Sequence, residues 1–171
     1  MKVLYTIYMD ISVQYRQILP TDAVWIKNLL TQEWGSSIVV SRGTLHNTDK
    51  LPGIVAEIDS KPVGLLTYQI TEDKCEIVTL NSIVQGKGVG TGLITKLKTI
   101  AKEKGCKKIW TITTNDNTDA LLFYQKRGFR LVALYPNAIE QSRKLKPQIP
   151  QIGINGIPIR DEIELELNLP Q

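Results

Sequence analysis

A run of alternating glycines in the middle of the chain has the composition of an anion-binding loop. Residues 85–92 read QGKGVGTG, and a helical pattern follows them directly. The first turn of a helix has N–H groups without partners and the positive end of the dipole, and glycines let a phosphate approach those groups. The spacing excludes the Walker pattern, GxxxxGK followed by Ser or Thr, and the dinucleotide-binding pattern GxGxxG. The pattern that is present is Gln85-x-x-Gly88-x-Gly90. A glycine-rich turn without a ligand is the alternative interpretation.

A second motif follows the glycine loop and supports a ligand. Residues 123–129 read FYQKRGF, and Asn115 stands after the preceding β-branched strand. In this order the two motifs resemble the GNAT superfamily of acetyltransferases, which has Arg or Gln, then Gly, then Gly or Ala at this spacing, and later an F-Y-x-K-x-G-F run. The resemblance is specific over residues 74–135, looser over 12–73 and topological over 137–171. The chain departs from the family pattern because no proline precedes Gln85 and because arginine is commoner at that position.

The resemblance implies a fold and a co-substrate. The implied fold is α/β (α+β): a mixed, mostly antiparallel central sheet that splays between two parallel strands, with helices on both faces. Acetyl-CoA would lie between the parting strands Cys75–Ile83 and Ile109–Thr114, with its pyrophosphate on backbone N–H groups from Lys87 to Thr91. The implied cofactor-binding residues are Ile83, Val84, Gln85, Lys87, Gly88, Val89, Gly90, Thr91, Asn115 and Phe123.

The same resemblance assigns catalytic candidates. Acetyl transfer to an amine needs a base for the amine, a donor for the thioester oxygen and an acid for the departing thiolate. Tyr124 would be the acid, since the tyrosine of the resembled motif has that role, and Glu76 would be the base. The alternative for Tyr124 is a tyrosine of the core, and the alternative for Glu76 is an exposed residue of the strand. In place of Glu76, a water relayed through Asn81 or Ser82 could take the proton of the amine.

The acceptor side lies in two segments that match no motif, residues 34–51 and 137–158. Loops on a rigid scaffold commonly determine specificity, so Trp34, Arg42 and Arg143 are the substrate-binding candidates. A core position for Trp34 and a solvated one for Arg42 are the alternatives. The cations Arg143, Lys144 and Lys146 favour acceptors that carry a carboxylate or phosphate.

Cysteine and histidine are sparse, which argues against a metal centre and against covalent catalysis. Cys75 and Cys106 form no CxxC pair, and His46 is the only histidine. We therefore expect no metal and no acetyl-cysteine intermediate, with both cysteines in the core. His46 falls in the segment Gly43–Lys50, which is predicted to be a loop, and it is therefore expected to be solvated.

The elements that must position these residues follow from periodicity and turn signals. The pattern predicts a helix from Thr21 or Asp22 to before Gly35, a helix after the glycine loop that ends at Gly105, and a run of uncertain type at Ile38–Ser41. The other predicted helices are Asp119–Arg127 and Asn137–Leu145, and 146–158 is a loop. The other predicted strands are Ser12–Leu19, Ile54–Ile58, Val63–Ile70, Phe129–Tyr135 and Asp161–Leu169, the last with Glu162, Glu164 and Glu166 on an exposed face.

Length and charge place limits on the function. The chain of 171 residues has a formal net charge of +4 and 42% hydrophobic residues, which fits one globular domain over 1–171 with an N-terminal extension at 1–11 and a core at 74–135. We expect a cytoplasmic N-acetyltransferase that uses acetyl-CoA and an amine, with no nucleic-acid or membrane partner and a homodimer as one option. The alternatives are a CoA-binding module of the same fold without turnover, an enzyme with another acyl donor and a nucleic-acid binder.

Overall fold

The computed structural model describes residues 12–170. Four α-helices occur in this part of the chain: α1 (Ala23–Trp34), α2 (Val89–Glu103), α3 (Thr118–Gln125) and α4 (Ala138–Leu145). The strands are β1 (Gln14–Gln17), β2 (Ile38–Ser41), β3 (Thr44–Asn47), β4 (Gly53–Ile58), β5 (Lys61–Thr71), β6 (Lys74–Ser82), β7 (Lys108–Thr114), β8 (Arg130–Tyr135) and β9 (Glu162–Asn168). None of the four helices combines the length and apolar character that a bilayer crossing requires.

Seven of these strands form one mixed sheet, in the order β1-β4-β5-β6-β7-β9-β8. Only β6 and β7 pair in parallel, and every other neighbouring pair in this sheet is antiparallel. Strands β2 and β3 form a separate hairpin. The predicted mixed, mostly antiparallel fold is confirmed.

The sheet is covered on both faces. The amphipathic helix α2 buries Leu93, Ile94 and Leu97 against β4, β5 and β6, while its lysines face outward. On the opposite face, α1 packs Leu30 against the sheet residues Val55 and Leu65. The helices therefore hold the central strands rigidly from both sides.

The two parallel strands part where the sheet would otherwise continue. Pairing between β6 and β7 runs from Lys74 with Lys108 to Ile77 with Thr111 and then stops, although both strands continue. Just there, the register of β6 against β5 shifts and Val78 has no partner on β5. Such a bulge bends the strand, and the result is the gap that the family resemblance implies.

The boundaries differ from the prediction in a few places. The first strand covers only residues 14–17 of the predicted Ser12–Leu19, and the segment 1–11 lies outside the described residues. Helix α3 ends at Gln125, two residues before the predicted end. The uncertain run Ile38–Ser41 is a strand, and its hairpin partner β3 was not predicted. The turn between them is made by Arg42 and Gly43, both with positive φ, as two-residue hairpin turns require.

Candidate active site

A cleft of about 870 Å³ passes through the sheet at the gap between β6 and β7. One wall is the part of β6 from Ile77 to Asn81, the other is the part of β7 from Thr111 to Thr114, and Tyr124 of α3 lies beside them. Because alternate residues of β7 point to opposite faces and all four line the cleft, both faces of the sheet have access to it. The cleft therefore lies at a passage between the two faces of the sheet.

The glycine loop ends at the start of α2, beside this gap. Gly88 is the residue before the helix and has φ +71°, a conformation that side chains disfavour. Gly90 allows close packing, because a Cβ there would lie 2.9 Å from Cζ of Phe123. No side chain caps the N-terminus of α2, so the N–H groups of its first turn are available to an anion. Lys87 and Thr91 are exposed beside them.

Arg127 joins the glycine loop to α3. Its guanidinium lies 3.5 Å from the ring centroid of Phe123, and its Nη2 donates to Oγ1 of Thr91 at 2.6 Å. Sequence reasoning did not single out this arginine, although it lies inside the FYQKRGF run. It adds a positive charge next to the N-terminus of α2.

Tyr124 is buried at the cleft, with 7% of its surface exposed. Its ring packs edge-on against Phe123 and Phe129. The phenol lies near the side chain of Thr111, whose hydroxyl donates to the carbonyl oxygen of Ile77 at 3.1 Å. Burial raises the pKa of Tyr124 to about 12. The phenol therefore stays protonated near neutral pH, and it lies beside the point where the strands part.

The side chain of Asn115, expected to bind acetyl-CoA, makes its hydrogen bonds to the backbone of the segment before β9. Its Oδ1 accepts the N–H groups of Arg160 and Asp161, and its Nδ2 donates to the carbonyl oxygen of Pro158. These contacts hold the segment before β9, and Asn115 is absent from the cleft lining. Asn117, two residues later, does line the cleft, and its Oδ1 caps α3 by accepting the N–H of Ala120 at 3.1 Å. The cleft thus offers the amide of Asn117, which sequence reasoning missed.

The end of β6 lies between the gap and the glycine loop. The N–H of Ile83 donates to the carbonyl oxygen of Val63 at 3.0 Å, so this group faces β5 and is not free for a ligand. Because backbone groups alternate along a strand, the N–H groups of Leu80 and Ser82 face the gap instead. Val84 and Gln85 lead from there into the glycine loop, with Gln85 exposed.

Glu76 is buried and reaches the cleft only through another side chain. It is absent from the cleft lining, but Oγ of Ser41, which does line the cleft, donates to its Oε1 at 2.9 Å. His46 Nε2 lies 3.8 Å from the same oxygen. Burial raises the pKa of the Glu76 carboxyl, while the Ser41 hydrogen bond and His46 act in the opposite direction.

The expectation that His46 is solvated is wrong. It lies on β3 and only 5% of its surface is exposed, because the hairpin folds its inner face onto the sheet next to Glu76. The hairpin was not predicted, so its inward side chains could not be identified from the sequence.

A second buried carboxylate, Glu162, lines the cleft, and sequence reasoning placed it on an exposed face. Only 2% of its surface is exposed. The N–H of Arg42 donates to Oε2 and the hydroxyl of Ser142 donates to Oε1, both at 3.2 Å. Burial raises the pKa of Glu162. Helix α4 and the hairpin cover this end of β9, so the alternating pattern of the strand does not correspond to solvent exposure there.

Of the candidates for substrate binding, Trp34 lines the cleft, with 38% of its surface exposed. Its Nε1 donates to Oδ1 of Asn81 at 3.3 Å. Arg42 lies outside this cleft, on a neighbouring depression of about 390 Å³. Its guanidinium packs 3.8 Å from the ring centroid of Tyr135 and pairs with Glu164 at 2.8 Å.

Two of the three cations expected to form a basic rim, Arg143 and Lys146, have backbone partners. Arg143 donates to the carbonyl oxygens of Ile149, Pro150 and Ile159, and it does not line the cleft. Lys146 lines the cleft but is buried, with Nζ donating to the carbonyl oxygens of Trp34 and Ile38 at 2.7 Å, and burial lowers its pKa. These contacts shape the loop after α4 and leave the exposed Lys144 as the remaining cation of the expected rim.

The two cysteines lie in the core, and neither of them lines the cleft. Both cysteines are buried and free, and burial raises the pKa of the Cys75 thiol to about 12. In this part of the chain no three His, Cys, Asp or Glu side chains are grouped as metal ligands.

Comparison with known proteins agrees with this geometry. Residues 4–129 match the Acetyltransferase (GNAT) family. The match begins within the segment 1–11. Two relatives from Bacillus subtilis (strain 168), the uncharacterized proteins YxbD and YdhI, are 45% and 41% identical to the chain, covering 86% and 85% of it and 96% and 94% of their own lengths.

Solved structures share the fold at low identity. An IAA acetyltransferase from Bacillus cereus has a TM-score of 0.68 at 23% identity, over 92% of this chain and all of its own. The ribosomal-protein-S18-alanine N-acetyltransferase from Escherichia coli has a TM-score of 0.68 at 14% identity, over 94% of this chain and 96% of its own. A family match over most of the chain, the splayed sheet and the glycine loop lead to one conclusion: the chain belongs to the GNAT acetyltransferase family.

Proposed function

We propose that the protein is an N-acetyltransferase that moves an acetyl group from acetyl-CoA to an amine by direct transfer in a ternary complex. One observation carries the proposal. One cleft is lined by the unpaired edges of β6 and β7 and by a buried phenol, and the uncapped N-terminus of α2 adjoins it at Gly90, which lies against Leu80 of the lining. A structural neighbour from Elizabethkingia anophelis, at 24% identity and a TM-score of 0.64, has acetyl-CoA bound.

The glycine loop and the gap supply the co-substrate side. The N–H groups at the start of α2 would bind the pyrophosphate, with Lys87 and Arg127 adding positive charge. The free backbone edge of β6 at Leu80 and Ser82 would pair with the amide groups of the pantetheine arm, as an added strand does. Asn117 is better placed than Asn115 to donate to that arm, since only Asn117 lines the cleft. Phe123 would pack beside it.

Tyr124 would protonate the leaving thiolate. The amine nitrogen attacks the thioester carbonyl, the new C–N bond forms, the C–S bond breaks, and the sulfur takes the phenolic proton. A phenol with a pKa near 12 stays protonated at neutral pH, so its proton is available to the sulfur as negative charge develops there during C–S cleavage. The backbone N–H at the Val78 bulge would stabilise the carbonyl oxygen, because this residue has no partner on β5.

Glu76 would act as the base through Ser41. The amine would pass its proton to Oγ of Ser41, whose own proton would move to Oε1 of Glu76 along the 2.9 Å hydrogen bond. Because burial raises the pKa of Glu76, and a base must be ionised, the acidic limb of kcat/KM should lie above the ordinary glutamate range near 4.3.

Variants of these two residues test the relay. Ser41→Ala should lower kcat by roughly 10²-fold, the lower end of the span for general base catalysis. Ser36→Ala is the matched control, because Ser36 is at the base of the same hairpin but does not line the cleft. Glu76→Gln should remove the acidic limb. Wild-type kcat in Ser41→Ala would exclude the relay and leave a water as the base.

Activity itself is tested with purified protein, acetyl-CoA and a library of amines, by following CoA thiol release and the N-acetyl product. We expect stoichiometric product with at least one amine. CoA binding without turnover on any amine would instead identify the protein as a CoA-binding module of this fold.

A further inference from the structure

The acceptor end of the cleft has a wall that is mostly apolar. The segment after α4 and the start of α4 supply it, through Ile139, Ile149, Pro150, Ile154 and Ile159. Arg143 fixes this segment through three backbone carbonyls, and Oδ2 of Asp116 accepts the N–H of Ile154 at 3.0 Å. The wall is therefore preformed, and an acceptor gains affinity by burying apolar groups against it.

Few charges line the cleft, and two of them, Asp116 and Glu162, are buried carboxylates. Glu33 is exposed at the rim, and Lys146 donates to two carbonyl oxygens. Each buried carboxylate accepts two hydrogen bonds, and those to Asp116 are shorter, at 2.5 Å from Thr114 and 3.0 Å from Ile154. Glu162 is the one of the two that adjoins the hairpin next to Ser41, because it accepts the N–H of Arg42.

Glu162 has capacity for another donor. Each of its oxygens accepts one hydrogen bond, and both bonds are long, at 3.2 Å. An ionised carboxylate offers about four lone-pair sites, so roughly two stay available. Its partner Arg42 directly follows Ser41, so a group bound to Glu162 would lie next to the hydroxyl that leads to Glu76.

We infer that the acceptor is a primary amine with one positive charge and an apolar aliphatic or aromatic body, and that Glu162 binds its ammonium group. This inference rests on the proposed acetyl transfer and specifies its acceptor. The carboxylate beside Ser41 matches one ammonium, which loses one proton to bulk water before the neutral amine attacks. The other buried carboxylate of the lining, Asp116, is held by two shorter hydrogen bonds and so has less capacity for a second ammonium. An acceptor with a carboxylate or phosphate would be repelled by Glu162.

The first experiment compares two variants on one strand. With phenethylamine as the acceptor, Glu162→Gln should raise KM for the amine roughly tenfold or more, the effect of losing one charge-assisted hydrogen bond, while KM for acetyl-CoA stays within about twofold. Glu166→Gln, a carboxylate four residues along β9 that pairs with Lys108, should leave both values unchanged. Glu162→Asp, which keeps the charge, should recover part of the amine affinity.

Two results would overturn the role of Glu162. One is an unchanged amine KM in a folded Glu162→Gln enzyme. The other is an equal rise in KM for both substrates, which is what a purely structural role predicts.

The second experiment tests the acceptor class with the wild-type enzyme. We expect kcat/KM for phenethylamine and hexylamine to exceed that for spermidine and for glutamate by about tenfold or more. Preference for spermidine or glutamate would overturn the acceptor class and leave acetyl transfer intact. Absence of N-acetyl product from every amine would refute the proposed function and this inference with it.

Discussion

Replacing Tyr124 with phenylalanine removes one hydroxyl from the cleft and keeps the ring. The packing against Phe123 and Phe129 is unchanged in this variant. Thr111 keeps its own hydrogen bond to the carbonyl oxygen of Ile77, so no buried donor loses its partner. One lost neutral hydrogen bond costs about 1 kcal/mol of unfolding free energy, which a domain of typical stability tolerates.

The expected effect on catalysis is larger. If the phenol protonates the thiolate, Tyr124→Phe should lower kcat by roughly 10²-fold, which corresponds to about 2.7 kcal/mol of transition-state stabilisation. The dissociation constant for CoA should stay within about twofold, because the hydroxyl acts on the departing sulfur. Steady-state kinetics with a thiol reagent gives kcat, and calorimetry gives the affinity.

Tyr68→Phe is the matched control. Tyr68 is also 7% exposed and also lies in the core, but it does not line the cleft. This variant should keep wild-type kcat. Equal kcat in Tyr124→Phe and wild type would refute the acid role and leave Tyr124 as a packing residue.

Three further predictions concern the loop, the cysteines and pH. Gly88→Asp should abolish the rise in Tm that CoA causes, because it places a carboxylate at the pyrophosphate site. Gly105→Asp, at the far end of α2 with a similar φ of +75°, should keep that rise. The same CoA-induced rise in Tm in both variants would show that the glycine loop does not bind the pyrophosphate. Cys75→Ser and Cys106→Ser should retain transfer, and mass spectrometry should find no acetyl-cysteine after incubation with acetyl-CoA. An acetylated cysteine that turns over on addition of amine would contradict direct transfer. Because burial raises the pKa of Tyr124 to about 12 and the acid works only while protonated, kcat should show no alkaline decline below about pH 10, and an earlier decline that Tyr124→Phe removes would contradict that pKa.

Local patterns predict the main elements of the co-substrate side. Helix α2 follows from its apolar period, and its start follows from the glycine run, in which Gly88 has a positive φ. The close packing of Gly90 against Phe123 and the bulge at Val78 depend on the fold, and the gap follows from the family resemblance and not from the local pattern.

The acceptor side depends on contacts between residues far apart in the sequence. Glu162 is separated from Arg42 by 120 positions, and Lys146 from Ile38 by 108. Periodicity on β9 predicts an exposed glutamate, because it cannot show that α4 and the hairpin cover one end of the strand. Asn115 and Asn117 both belong to the turn predicted after β7, and the sequence pattern does not distinguish them. Only the folded structure shows that Asn117 lines the cleft and Asn115 does not.

The most direct measurement follows the acetyl group itself. Acetyl-CoA labelled with ¹³C in its acetyl group is incubated with enzyme and phenethylamine, and the products are identified by NMR and mass spectrometry. Direct transfer predicts one N-acetyl amine for each CoA thiol released, with the label on nitrogen-bound acetyl and none on the protein. Thiol release that yields only free acetate, or labelled protein in place of labelled amine, would contradict it.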